Sequence, residues 1–287
     1  MNSWFTYAIT AFFLMGIQGF LYKVAAERRY DTARITFIFM ATVAFLSFAL
    51  WAYLQEPAGN ITSLIILSLI NSFTFLAATM SFIEALKYIS ATTAYSVARL
   101  NLVIITLFSV AWFNDSLSMY QWIGIAIAIA AMLVLTKGTN KNGIPQEYSK
   151  KGFAFLIISL FTSSIAAISS KYAAMYVGKL SFLAFVYTIA AISSMALFKK
   201  TSNGTHQSDK TAPTIIIGIA MGLLNFVGYY AFLLALSKGP LALVASITGM
   251  HFVISVILSV LIYKESVTAA RLLGILLTIL SIILLRF

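Results

Sequence analysis

The chain has no cysteine, only 4 prolines, 8 acidic residues and 2 histidines in 287 residues, and only 9% of its residues are charged. Without cysteine there are no disulfides, no thiolate metal site and no cysteine nucleophile. Two histidines, His206 in a polar loop and His251 in an apolar run, supply no usual metal constellation, and no cofactor is expected. So small a charged share also excludes an ordinary soluble domain, in which roughly a quarter of residues are charged. Apolar residues instead make up 61% of the chain, and mean hydropathy is +0.96. Such a composition requires an apolar solvent, and the bilayer core takes about 20 apolar residues per helical crossing.

Apolar runs separated by short polar breaks predict ten helices, over residues 4–22, 33–53, 61–83, 91–113, 117–136, 152–170, 180–198, 213–236, 241–263 and 267–285. The most polar breaks are 137–151 and 199–212. Val24-Ala25-Ala26 has the look of a signal-peptidase site, but no basic residue precedes the first run and the run has a later counterpart, so it is read as a retained span.

That counterpart belongs to an internal repeat. A shift of 150 residues lays Ala85-Leu86 on Ala235-Leu236, Ser109-Val110 on Ser259-Val260, Asp115 on Glu265 and Gly124-Ile125 on Gly274-Ile275. A shift of 148 lays Lys23 on Lys171. The expected organisation is a first five-helix repeat over 1–137, a connecting loop over 138–151 and a second repeat over 152–287. Five is odd, so the copies enter the membrane from opposite sides: an all-α membrane protein of ten helices in two inverted repeats.

The excess of 19 Lys and Arg over 8 Asp and Glu does not form a nucleic-acid surface, because these residues sit in short gaps between spans. There they report orientation. Fourteen lie on the side of the loops after spans one, three, five, seven and nine, Lys171, Lys179, Lys238 and Arg286 lie opposite, and Arg99 is inside a span. The rule that basic loops stay inside puts both termini outside the cytoplasm.

An inverted repeat places a binding site near the midplane between its halves. Polar residues fall there in spans four and nine: Tyr95, Ser96, Arg99 and Asn101 in the first, Thr248, His251, Ser255 and Ser259 in the second. Arg99 and Asn101 correspond to Gly249 and His251. A guanidinium this deep costs roughly 2.5 kcal/mol or more without water or a partner. It reads as an anchor for a carboxylate or phosphate, or as a structural bond to backbone carbonyls or to Glu84 or Asp115. His251 is the only obvious proton-coupling group within the spans, or else a satisfied core side chain. Gln18, Asn71, Asn225 and Tyr229 complete the candidate substrate-contacting set, although each amide alone also serves to join helices. Among the aromatics, Tyr95, Tyr229 and Phe232 share faces with this polar set. Spans five and ten, with Gly124, Ala128, Gly274 and Thr278, read as close-packed supports and as a homodimer contact.

Lys23 and Lys171 closing spans one and six, Ala85-Leu86 and Ala235-Leu236 closing three and eight, Gly239-Pro240 before nine, and Lys264-Glu265 before ten with Gly274 inside it together resemble the ten-helix EamA-type members of the drug/metabolite transporter superfamily. Ser90-Ala91 stands where that family has a proline, and Asn114-Asp115 where it has Gly-Glu. The resemblance implies a metabolite carrier with a cavity lined by spans one, three, four, six, eight and nine. The expectation is a plasma-membrane (bacterial inner-membrane) exporter of an amino acid or other carboxylate-bearing metabolite, a flippase or amphipathic-drug exporter being the alternative. A polytopic enzyme would need convergent acid, base or metal groups, whereas Asp and Glu are scattered here.

Overall fold

The computed structural model describes residues 3–28, 30, 32–85, 88, 97–98, 100–138, 150–201, 211–264 and 268–287. These residues fold into helices α1 (Ser3–Glu27), α2 (Thr32–Leu54), α3 (Ile61–Ala85), α4 (Asn101–Phe113), α5 (Met119–Gly138), α6 (Lys150–Tyr176), α7 (Lys179–Thr201), α8 (Thr211–Lys238), α9 (Leu241–Gly249), α10 (Phe252–Tyr263) and α11 (Ala269–Arg286). The one extended pairing among them is an isolated antiparallel bridge between Gly59 and Val177. At 1.5 Å per residue, α1 with its 25 residues exceeds the roughly 30 Å of a bilayer core. Seven segments are long and apolar enough to cross, α9 and α10 counting together as 241–263, and three shorter apolar helices complete ten spans.

The ninth span was expected as one helix, and the structure corrects this. Around Met250 and His251 the hydrogen bonds run three residues back instead of four: Met250 N–H to Ile247 O, His251 N–H to Thr248 O, Val253 N–H to Met250 O. Gly249, a weak helix former, precedes the break. The same pattern recurs 150 residues earlier, where Leu100 N–H donates to Val97 O and Val103 N–H to Leu100 O. Both spans also end alike, α4 at Asn114 and α10 at Lys264, each with φ near +50°.

Packing joins the two halves pairwise. α1 lies along α8 and α3 along α6, pairs that exchange under the repeat, while α2 on α7, α4 on α9 and α5 on α11 map onto themselves. The small faces of α5 and α11 meet each other within the chain: a side chain at Gly124 would press on Leu285 at 3.1 Å, and the Ser281 hydroxyl donates to Gly124 O. α1 and α10 also approach closely, since a Cβ at Gly16 would stand 2.5 Å from Ile254 Cβ, and Ser255 donates to Gly16 O at 2.8 Å.

Candidate functional site

Between the halves lies a cavity of about 310 Å³. Its polar lining comes from both: Gln18 and Asn71 from the first half, Tyr187, Asn225, Tyr229 and His251 from the second. Most of these sit near the middle of their helices.

The amides work across the interface between the halves. Asn71 on α3 donates from Nδ2 to Ala166 O at 2.8 Å and to the hydroxyls of Ser169 and Ser170 at 2.9 Å, all on α6. Ser170 in turn shares a 2.9 Å hydrogen bond with the Tyr229 hydroxyl on α8. Asn225, also on α8, donates to Gln18 Oε1 on α1 at 2.9 Å. The Tyr187 hydroxyl donates to Asn225 Oδ1, and Tyr22 hydrogen-bonds Gln18. Tyr187, Asn225, Gln18 and Tyr22 therefore form one chain of polar contacts, and Asn71, Ser169, Ser170 and Tyr229 another, the Tyr187 and Tyr229 rings meeting edge to face at 6.0 Å. In an apolar interior such groups are held in place because an unpaired amide is costly there.

His251 sits in the break of the ninth span, its Nδ1 2.7 Å from Thr248 O. Only a protonated Nδ1 can bond a carbonyl, so the neutral ring presents Nε2 as an acceptor. The rest of the expected polar stripe turns to backbone: Thr248 donates to Val244 O, Ser255 to Gly16 O and Ser259 to Ser255 O. Of that stripe, His251 alone lines the cavity. Hydroxyls inside apolar helices are commonly satisfied by the carbonyl four residues back, which spacing on a face does not reveal. Tyr95, Ser96 and Arg99 lie outside the described residues. Asn101 donates to Ser163 at 3.3 Å.

Sequence reading missed Tyr22, Phe39, Phe75 and Tyr187 in the wall, and placed Phe232 on the polar face although it packs in the core beside Tyr229. Apolar side chains such as Met15, Met40 and Val186 fill the remaining wall. Lys171 is a second correction. Expected in a loop, it lies inside α6, 6% exposed, donating to Leu236 O at 2.7 Å and Gly239 O at 2.8 Å, with Phe113 beneath its ammonium. The last carbonyls of α8 have no partner within their helix and accept it.

Fold and cavity together define a multi-pass helical membrane protein whose inverted halves share a chamber walled mainly by apolar side chains, with amides and hydroxyls set among them. The chain belongs to the EamA-like transporter family, whose model matches residues 2–137 and 150–287. It is a membrane transporter by that membership. A search of curated proteins finds no match. Among 29 matching chains of solved structures is one titled only "Crystal structure of protein", 15% identical, with a TM-score of 0.79 over 100% of this chain and 99% of the other, a likeness of fold.

Proposed function

We propose that the protein exports a small carboxylate-bearing metabolite, an amino acid or a similar compound, by alternating access around the central cavity. The observation that carries this reading is that side chains from both halves line one chamber while bonding across the interface between them. Rocking of the halves changes which face the chamber meets. In this reading Arg99 holds the carboxylate, and Tyr95, Ser96, Gln18, Asn71, Asn225 and Tyr229 supply hydrogen bonds and shape, while Thr248, bonded to Val244 O, stays outside the contact set. His251 contacts substrate or couples a proton. The partners are the small-molecule substrate and the lipid bilayer, with no nucleic acid. The location is the plasma membrane with both termini outside the cytoplasm. A homodimer would join through the outer faces of α5 and α11, since their small faces are already occupied by each other.

The apolar and aromatic share of the wall, from Met15, Phe39, Met40 and Phe75, favours a second reading, export of amphipathic drugs or flipping of lipid-linked substrates. Thermal shift of the detergent-purified protein against amino acids, organic acids, nucleosides, sugar phosphates and cationic drugs separates the two. A ligand at 100 times its Kd adds about 2.7 kcal/mol. Stabilisation by a carboxylate that vanishes in Arg99→Ala supports the first reading. Stabilisation by lipids or hydrophobic cations alone supports the second and leaves Arg99 structural.

A further inference from the structure

Outside the cavity lining, the end of α4 in the first half is bonded to the start of α9 in the second. On α4, the Ser109 hydroxyl donates to Asp115 and accepts the Ala242 N–H at 3.0 Å. Asp115, just past that helix, accepts the Leu241 N–H at 3.1 Å. Two otherwise unsatisfied N–H groups at the start of α9, in the second half, are thus capped by the end of α4, in the first. Pro240 precedes α9 and makes no side-chain cap of its own. Immediately upstream, Lys171 grips Leu236 O and Gly239 O.

Their position gives them a task. Residues 114–118, 177–178 and 239–240 link spans on the face that carries both termini. The cavity lies midway along the bundle and toward the opposite face, as shown by Phe39 and Met40 early in α2 and Tyr22 late in α1. From that face α9 runs inward to the depth of the cavity, and its Leu241, Ala242, Leu243, Val244, Ser246, Ile247 and Thr248 are buried. Its far end is the break at Met250 and His251, beside the chamber. A short helix capped at one end and interrupted at the other moves as a unit when the cap lets go. The counterpart of Ser109 in the repeat, Ser259, spends its hydroxyl on Ser255 O in its own helix instead.

The geometry points to a releasable clamp, made by Ser109 and Asp115 of the first half and Lys171 of the second, that holds α9 over the cavity and seals it from the face bearing the termini. This rests on the carrier reading, because a sealed face matters only if the chamber opens there at another stage. Releasing the clamp frees α9 to swing about Met250 and His251.

The absence of native cysteine makes the test direct. Ala190, in the cavity wall, is replaced by Cys, and its reaction with a membrane-impermeant maleimide is timed in right-side-out and inside-out vesicles. Asp115→Ala is expected to raise labelling from the termini face about fivefold, the scale set by loss of one helix cap. Lys171→Met acts in the same direction and serves if Asp115→Ala does not elute as folded protein in detergent. A Ser109→Cys, Ala242→Cys disulfide is expected to abolish labelling from that face, and reductant to restore it. Folded variants whose labelling from the termini face matches the parent, or a cross-linked protein labelled there at the parent rate, overturn the clamp. Labelling needs no substrate, so a failed ligand screen with clamp-dependent labelling overturns only the substrate reading, and a successful screen with clamp-independent labelling overturns only the clamp.

Discussion

At the scale of single residues, the amides and the tyrosines make different demands. Asn225 is bonded on both sides, to Gln18 and to Tyr187, so its removal strands an acceptor and a donor at once. Interhelical hydrogen bonds in membranes average about 0.6 kcal/mol each, because the unfolded chain also finds partners in lipid. Asn225→Leu is therefore expected to lose about 1 kcal/mol in detergent melting, and Tyr187→Phe about half of that. Ligand-induced stabilisation should fall much further in both variants, since the chamber wall loses its orientation. Equal losses of intrinsic stability and ligand response would make the network structural only. Gln18, Asn71 and Asn225 were legible in the sequence because an amide in a long apolar run must find a polar partner inside the bundle, which sets it against its neighbours. Tyr22 and Tyr187 were not, since tyrosine is also the ordinary residue of the membrane interface and depth cannot be judged without helix ends. Lys171 stood close enough to a span's end to pass for a loop residue, and only the Leu236 and Gly239 carbonyls reveal its burial.

At the scale of elements, close approach between α1 and α10 fixes where His251 stands. A methyl at Gly16 would meet Ile254 Cβ at 2.5 Å and the His251 carbonyl oxygen at 2.6 Å, and one of these is backbone, which cannot rotate away. The helices must separate, so Gly16→Ala is expected to destabilise by about 1–3 kcal/mol, the usual cost of overpacking. It should also weaken ligand response by shifting the break in the ninth span. Gly218→Ala tests the same physics further from the chamber, against Ile38 on α2, neither of which lines it, and should cost stability while leaving ligand response intact. A Gly16→Ala protein as stable as the parent would mean that the crossing is looser than described. The apolar runs announced the spans but not the breaks within them. Gly249 gave a local hint, whereas Arg99-Leu100-Asn101 carries no helix-breaking residue, so that half of the matched pair is visible only in the backbone bonds.

At the scale of the whole molecule, the repeat visible in the sequence becomes an interlocked pair. Each half alone would leave its main contact surfaces bare, because α1 needs α8, α3 needs α6, α2 needs α7 and α5 needs α11. Lipid can cover apolar faces at little cost, but it cannot satisfy Asn71, Asn225 or the Leu241 N–H, whose partners lie in the other half. Neither half is therefore expected to be a stable unit, although each is a complete repeat. Residues 1–137 and 150–287, expressed as separate chains in one cell, should co-purify through a tag on either and regain the thermal transition of the intact protein. Expressed singly, each should aggregate or melt without cooperativity. If either half alone melts cooperatively as a monomer, the bonds across the interface are not what holds it together. A single half that forms a stable pair with its own copy would instead show that the contact surfaces are self-complementary.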